Sequence, residues 1–598
     1  MGDSVSIDFT RVFDIISYQQ KKYPQTKALN SVREGQWFGY SIGEVQEQAD
    51  NVSCWMLGQG LSKGDRIALV PKMGSPEWMI TDFACQQIGL IVVPIHPTSS
   101  IAEMEFIITE TEAKACIVTD LEFFTKVRST IEKIPKLVYL FHLQAKCPDL
   151  LPPFENKYAS PNLLDELKSC RDQIYQEDTL AILYTSGTSG TPKGAILSHG
   201  NVVSNIKSIL TLLPLAPGHR VLSFLPFSHI FERTSCYAYM ALGVSIHFSK
   251  SIDRLSQDFN QVKPFFCTCV PRTLEKMYDL LLEQRQEKGF ILKRLIEWAM
   301  DIGEKYKDSD RTGIYFRFKL FTARLLVLNK WRKALGGQIR YMAVGAAALR
   351  PEIGRLFSAA GVMTLSGYGM TEASPFISVN RFLPGLNRFG TVGIPVPGVE
   401  IRFDNPNENG EGEILVRGPN IMKGYYKRPE MTREVLSEDG WLRTGDVGRM
   451  VGKRFLTITD RKKDIFKTSS GKYVAPQPLE NHFASSPFVT QCLAIGFNRP
   501  YVTAILVPHF QILKTWCEEH GIHWTSPQYM VHNIKVIKKY QDEVERLNEP
   551  LQGFERVRSF ILSDEEWTVE NKDLTTSFKP MRNKLLEKHK VQIEKLYM

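Results

Sequence analysis

The stretch DRIALVPKMGSPEWMITDFACQQIGLIVVPI, Asp65 to Ile95, constrains this 598-residue chain more than any other. Arg66 to Val70 is a short apolar run, and Ser75, Pro76 and Glu77 follow it as a helix start. The serine caps, proline fits the first turn, and the glutamate faces the positive helix end. A second apolar run, Ile91 to Ile95, ends ahead of Pro97. Strand, helix, strand is the unit of parallel sheets covered on both faces. Similar runs recur at Ala115 to Val118, Leu180 to Tyr184, Val221 to Leu225 and Tyr341 to Val344, most of them separated by helix-length segments. The pattern predicts an α/β fold, and the length predicts more than one core.

Beyond about Thr391 the texture changes. TVGIPVPGVEIRF and GEILVRGPNIMKGYY are short, glycine- and proline-punctuated runs that read as antiparallel strands and turns. The charged stretch TDRKKDIFK, Thr459 to Lys467, follows the last of them, and a mixed α+β tail ends in the basic helix candidate MRNKLLEKHKVQIEKLY. A domain boundary is therefore expected near Asp460, giving parts 1–459 and 460–598.

A hydrophobic fraction of 43% with 23% charged residues is that of a globular protein and not of a disordered one. The net charge of +9 favours anionic partners without choosing among nucleotides, acidic lipid headgroups and nucleic acid. The ten cysteines show no structural zinc spacing, which fits a reducing compartment. No run reaches membrane-span length and no signal peptide is evident, so a cytoplasmic protein is expected. MGDSVS has the spacing of a myristoylation site at Gly2, a pattern short enough to arise by chance. Arg311 to Gly337 carries seven basic residues, no acidic one and several large apolar ones. It reads either as an interfacial membrane helix or as a helix packed on the body with its cationic heads in water. Its charges project onto two separate arcs, which favours packing.

The stretch LYTSGTSGTPKGAILSHGN, Leu183 to Asn201, packs glycines, hydroxyls and one lysine between apolar runs. Strand, loop, then helix is the expected arrangement, with backbone N–H groups converging on phosphate oxygens. The Walker pattern fails, because Lys193 is followed by Gly194 and Ala195 and no adjacent hydroxyl can hold magnesium.

YTSGTSGTPKG closely resembles the phosphate-binding loop of the adenylate-forming superfamily, which includes acyl-CoA synthetases, luciferases and peptide-synthetase adenylation domains. Its further motifs follow in the family's order: LPFSHIFER from Leu225, GAAAL from Gly345, GYGMTE from Gly367, GWLRTGD from Gly440, DRKKDIFKTSSGKYVAPQPLE from Asp460 and SFKPMR from Ser577. HIFER, DGWLRTGDVG and DRKKDIFK are most similar to long-chain fatty acyl-CoA synthetases. The resemblance implies two doubly wound αβ subdomains plus a β-rich, barrel-like section in the N-terminal part, and a small mobile α+β C-terminal domain.

It also implies a two-step reaction. A carboxylate attacks the α-phosphate of MgATP, giving acyl-AMP and pyrophosphate; the CoA thiol then displaces AMP. In the family's roles, Thr185, Ser186, Gly187, Thr188, Ser189 and Lys193 wrap the β- and γ-phosphates. Gly345, Ala346 and Ala347 form a small-residue edge against adenine, with a packing turn as the competing reading. Tyr368 stacks on adenine, Gly369 beside it belongs to the same cofactor-binding motif, Thr371 donates to the α-phosphate, and Glu372 with Thr188 holds magnesium. His229 lies beside the substrate carboxyl or is structural; Asp446 accepts the ribose hydroxyls beside Arg461. Lys579 bridges the attacking carboxylate and the α-phosphate, Lys463 is the hinge, and Gly471 and Lys472 approach the nucleotide after rotation. Pro580 and Asn583 depart from the family pattern around that lysine.

The partners implied are a fatty acid, ATP and CoA, with Mg2+ and without nucleic acid. Three alternatives stay open: an acyl-AMP ligase serving a carrier protein, an aryl or medium-chain acyl-CoA ligase, and an inactive nucleotide-binding regulator. A homodimer and peripheral contact at the inner face of the membrane are also left open.

Overall fold

A computed structural model describes the chain except residues 1–6, 71–73, 120–123, 126–127, 129–130, 132–133, 135–138, 143–153, 155–156, 186–191, 287–288, 308–312, 463, 470–471, 569–570, 576–579 and 598. The chain divides into two compact units. The first comprises residues 1–401, 416–442 and 452–456; the second comprises 402–415, 443–451 and 457–598.

The first unit is built on two mixed sheets. In the seven-stranded sheet the order is Gly424–Tyr425, Lys193–Ser198, Thr179–Thr185, Ile91–Pro94, Arg66–Val70, Ala115–Val118, Tyr139–His142. Its inner strands pair in parallel, as at Ala68↔Val93 and Ala68↔Cys116. Arg66–Val70 is buried almost throughout, which explains a run of apolar residues without alternation. The helix Pro76–Gln87 starts as its sequence predicts: Ser75 Oγ accepts from Trp78 N–H at 3.1 Å, with proline in the first turn.

The nine-stranded sheet runs Ile394–Pro395, Phe376–Val379, Met363–Gly369, Tyr341–Val344, Phe266–Cys269, Arg220–Ser223, Ser245–Phe248, Leu29–Arg33, Gln36–Tyr40. Its centre is parallel and its ends are antiparallel.

One expectation is overturned. The hydroxyl-rich stretch does not lead from strand into helix. Lys193–Ser198 is a strand that folds back antiparallel on Thr179–Thr185, in register Thr185↔Lys193 to Thr179↔Ser198, and the helix His199–Leu210 begins only afterwards. KGAILS is too short for apolar spacing to separate strand from helix, and pairing with strands on both sides decides it. The helix start is still visible locally: Ser198 Oγ accepts from Asn201 N–H while Asn201 Oδ1 accepts from Ser198 N–H. No helix N-terminus therefore follows directly on residues 186–191, contrary to the strand, loop, helix order expected there.

The basic segment is helical from Ile314 to Ala334, with a π-turn over Arg324–Leu328. Leu320, Ala323, Val327 and Leu328 pack with Ala299, Met300, Leu356 and Ala359. Among the described residues no helix is long and apolar enough to cross a membrane.

The second unit holds most of a four-stranded sheet, in chain order Glu400–Asp404, Gly412–Arg417, Leu442–Val451, Phe455–Arg461. The last strand reaches Arg461, so the charged stretch begins inside the strand and not after it. Beyond it lies a three-stranded sheet of Val489–Ile495, Val502–Pro508 and Val557–Leu562. Alternation gives this sheet two cores. Cys492, Ala494, Ala504 and Leu506 pack with Phe483, Leu513 and Tyr540, whereas Leu493, Ile495, Ile505 and Val507 pack with Trp567, Leu585 and Ile593.

Candidate active site

Parallel sheets collect functional groups where their strands end. In the seven-stranded sheet His96 follows Ile91–Pro94 and Thr185 closes Thr179–Thr185. In the nine-stranded sheet His229, Gly345 to Ala347 and Gly369 to Glu372 follow or end the strands Arg220–Ser223, Tyr341–Val344 and Met363–Gly369. The two edges meet inside the first unit, where the His96 and His229 rings lie edge to face with centroids 5.2 Å apart.

A charged cluster joins the same edges. Lys193 Nζ donates to the Tyr425 hydroxyl at 2.6 Å, and Tyr425 donates onward to Glu372 Oε1 at 2.7 Å. Lys193 and Glu372 are 3.9 Å apart, and the ammonium also lies 4.2 Å from the Tyr425 ring centroid. Burial, then the Glu372 carboxylate, pushes the Tyr425 phenol far above its ordinary value, so it bridges as a neutral donor. Tyr425 arrives because Gly424–Tyr425 pairs with Lys193–Ser198, register Tyr425↔Ala195. Nearby, Tyr184 donates to Glu110 Oε2 at 2.6 Å and Arg428 pairs with the other oxygen, tying the strand Thr179–Thr185 to the segment bearing Tyr425.

Glu372 sits in a single helical turn, Thr371–Ala373, after Tyr368 at the strand end. Its own carbonyl accepts from Met422 N–H, and Asn420 Nδ2 donates to Ala373 O at 2.8 Å. Asn205 exchanges two hydrogen bonds with the Phe376 backbone. The turn is thus fixed by side chains from distant segments. Gly369 is obligatory, because a Cβ there would stand 2.1 Å from Pro375 O. Gly345 is buried against Phe231, whose ring a Cβ would approach to 3.1 Å, while Ala346 adopts φ 70° and is exposed together with Ala347. The packing turn and the small exposed edge are consecutive residues of one loop.

Burial lowers the His229 pKa and holds His96 at about 3, with His229 adding to the effect on His96. Both imidazoles are neutral at pH 7 and offer hydrogen bonds, not charge. His96 Nδ1 accepts from Thr98 N–H at 3.2 Å. Three other residues of LPFSHIFER lie behind this edge. Glu232 accepts from Ser223 and Thr268, Arg233 pairs with Asp82 and Tyr237, and Phe227 stacks on Trp78 at 4.7 Å. These three are core groups.

In the second unit, Asp446 on Leu442–Val451 and Arg461 at the end of Phe455–Arg461 form an ion pair, Nε to Oδ1 3.2 Å. Lys462 N–H donates to Gly445 O, and Lys462 Nζ pairs with Glu413 at 2.8 Å. Thr444 Oγ1 accepts from Asp446 N–H and donates to Ile414 O. Lys472 is exposed on the loop between Phe466–Lys467 and Tyr473–Val474. Of the remaining predicted residues, Ser186, Gly187, Thr188, Ser189, Lys463, Gly471 and Lys579 lie outside the described residues.

Two family models match the chain: the AMP-binding enzyme family over residues 16–426 and the AMP-binding enzyme C-terminal domain over 463–598. The chain belongs to the AMP-binding enzyme family. It is similar to the peroxisomal long chain acyl-CoA synthetase 7 of Arabidopsis thaliana, at 31% identity over 98% of this chain and 85% of the relative. Human long-chain-fatty-acid–CoA ligase 6 is 32% identical over 94% of this chain and 82% of the relative. Among solved structures, the adenylation domain of a Mycobacterium chelonae carboxylate reductase superimposes with a TM-score of 0.74 at 22% identity, covering 99% of this chain and 92% of that one.

In this AMP-binding enzyme, motif reading pointed to Lys193 and Glu372 but missed Tyr425, the group that joins them. GYY carries no chemistry of its own in one dimension. The available signal was a short glycine-led apolar pair after a strand, which predicts pairing but not its partner. His96 was missed too, although it follows a predicted strand at its carboxyl end.

Proposed function

We propose that this chain is an ATP-dependent, AMP-forming long-chain fatty acid:CoA ligase. The Lys193–Tyr425–Glu372 cluster carries the reading: it places a cation and a carboxylate, bridged by a neutral phenol, where the carboxyl edges of two sheets meet. Relatives about one-third identical along nearly the whole chain support the long-chain thioester chemistry.

In the first half-reaction a fatty carboxylate oxygen bonds to the ATP α-phosphorus and the bond to the β-phosphate bridging oxygen breaks, releasing pyrophosphate. Two anions meet, so the site must supply positive charge and donors. Lys193 moves from Tyr425 to the β- and γ-phosphates beside Thr185, Ser186, Gly187, Thr188 and Ser189. Thr371 donates to the α-phosphate, Tyr368 stacks on adenine along the edge formed by Gly345, Ala346 and Ala347, and Gly369 admits the backbone close to it. Neutral His229 donates to the fatty carboxylate. Asp446 accepts the ribose hydroxyls, oriented by Arg461, and Lys579 bridges carboxylate and α-phosphate. In the second half-reaction the CoA sulfur bonds to the acyl carbon and AMP departs. The part from Asp460 onward reorients about Lys463 to replace Lys579 with the face of Gly471 and Lys472.

Magnesium fits this donor set. No group of three acidic, histidine or cysteine ligands exists among the described residues, and this ion typically takes one or two carboxylates plus phosphate oxygens and water. Glu372, with Thr188, would hold it, and it would screen phosphate charge.

The test is AMP production across carboxylic acids from acetate to stearate, with and without CoA. CoA-dependent AMP that peaks with long chains is expected. CoA-independent acyl-AMP would point to carrier delivery, a preference for short or aryl acids to another ligase, and no pyrophosphate with any acid to a regulator.

A further inference from the structure

The helix that starts at Ile314 has two apolar faces. Phe316, Leu320, Ala323 and Val327, spaced four, three and four apart, turn into the cluster formed with Ala299, Met300 and Leu356. Ile314, Phe318, Phe321 and Leu325, with the same spacing, face away from it. Together with Tyr315 they are 63% to 87% exposed, and Leu326 adds to the patch. Arg324 Nε donates to Ala359 O at 2.6 Å, so the inward face is anchored and the outward one is not a frayed end. A folded protein seldom leaves so many adjacent large apolar side chains in water without a use for them.

The charge on the segment that carries this patch is one-sided. Residues 311–337 contain seven basic residues and no acidic one. Arg317, Lys330 and Lys333 are exposed, and Lys319 Nζ lies over the Tyr315 ring, 4.4 Å from its centroid. On the neighbouring helix Phe290–Glu304 the acids are Glu297, Asp301 and Glu304, and Asp301 is paired with Lys305. Apolar side chains flanked by ammonium and guanidinium groups complement a bilayer interface, acyl chains below and phosphate above. An aqueous protein partner would have to match the positive charge as well as the apolar stripe.

We propose that the outward face of this helix, from Ile314 to Leu326 with Arg317, Lys319, Lys330 and Lys333 around it, docks the enzyme on an anionic phospholipid surface. The docking is peripheral and reversible, and it stands apart from the adenylation chemistry.

The experiment is flotation of the full chain with vesicles of phosphatidylcholine alone or mixed with phosphatidylserine. The wild type should float with the mixed vesicles, at least ~10-fold more tightly than with phosphatidylcholine, and less as salt rises. Phe318→Ser with Phe321→Ser and Leu325→Ser should reduce binding by at least ~10-fold. Its thermal melt should stay unchanged, because these side chains are exposed. Lys330→Glu with Lys333→Glu should weaken binding to the mixed vesicles only. The proposal is overturned if the wild type fails to float, if the triple variant floats as well as the wild type, or if light scattering shows that the triple variant turns a dimer into a monomer while vesicle binding persists. The last result would assign the face to a second copy of this chain.

Discussion

The two units hold their charged groups in different ways. In the first, Lys193, Glu372 and Tyr425 come from three segments far apart in the chain and are joined through a buried phenol. In the second, Asp446 and Arg461 sit on successive strands and meet directly, with the guanidinium 43% exposed. The first arrangement is held by tertiary structure, and its electrostatics act at low dielectric. The second is set by a local hairpin and is screened by water. Removing a group should therefore cost more where the partner left behind is buried.

The largest effect should come from a second-unit residue that defies this ranking, because its proposed role is chemical. Lys579→Ala should slow pyrophosphate release from ATP and fatty acid by about a thousandfold while thioester formation from supplied acyl-AMP stays within a few-fold. Equal loss in both half-reactions would leave the lysine without the role assigned to it.

Next come the buried carboxyls, one in each unit. Burial raises Glu232 from 4.5 to about 7 against the hydrogen bonds from Ser223, Thr268 and Cys236. Burial likewise raises Asp460 to about 7. Each folded pKa lies above its unfolded value, so the stability each contributes is full below about pH 4 and is lost as pH rises through 7. For Glu232 the difference, 7 minus 4.5, corresponds to on the order of 3 kcal/mol. Glu232→Gln should flatten the fall in melting temperature of the first unit between pH 4.5 and 7, and Asp460→Asn that of the second. A pH profile unchanged by either variant would contradict the protonation state inferred.

Tyr425→Phe should lower kcat by about tenfold to a hundredfold and melting stability by roughly 2 kcal/mol, since Lys193 and Glu372 lose their bridge. Asp446→Asn, at the more open site, should raise the KM for ATP by about tenfold and leave the fatty acid KM alone. Steady-state kinetics on both variants decides the contrast: a larger penalty for Asp446→Asn than for Tyr425→Phe would mean that burial is not what separates the two sites. Smallest is Lys463→Pro, expected to slow thioester formation about threefold more than adenylation, measured by single turnover of each step.

Much of this was legible in one dimension. Arg66–Val70, Ala115–Val118 and Tyr341–Val344 are strands with the bounds their apolar runs predict; the first two are buried on both faces and need no alternation. Ser75, Ser198 and Asn201 mark helix starts by bonds made within three residues. The strand Lys193–Ser198 was not legible, since it is a strand only by virtue of partners at Thr179–Thr185 and Gly424–Tyr425.

The sequence by itself determined the α/β class, the helix caps and the order of the motifs, all of which depend on residue type and short spacing. Tertiary structure alone decided that Tyr425 stands between Lys193 and Glu372, that His96 faces His229, and that one apolar stripe of the helix at Ile314 is covered while the other is not. These contacts span up to more than two hundred residues, as from Lys193 to Tyr425. No local propensity encodes them: they exist only once sheet pairing has closed the chain on itself and burial has fixed which groups lose their water.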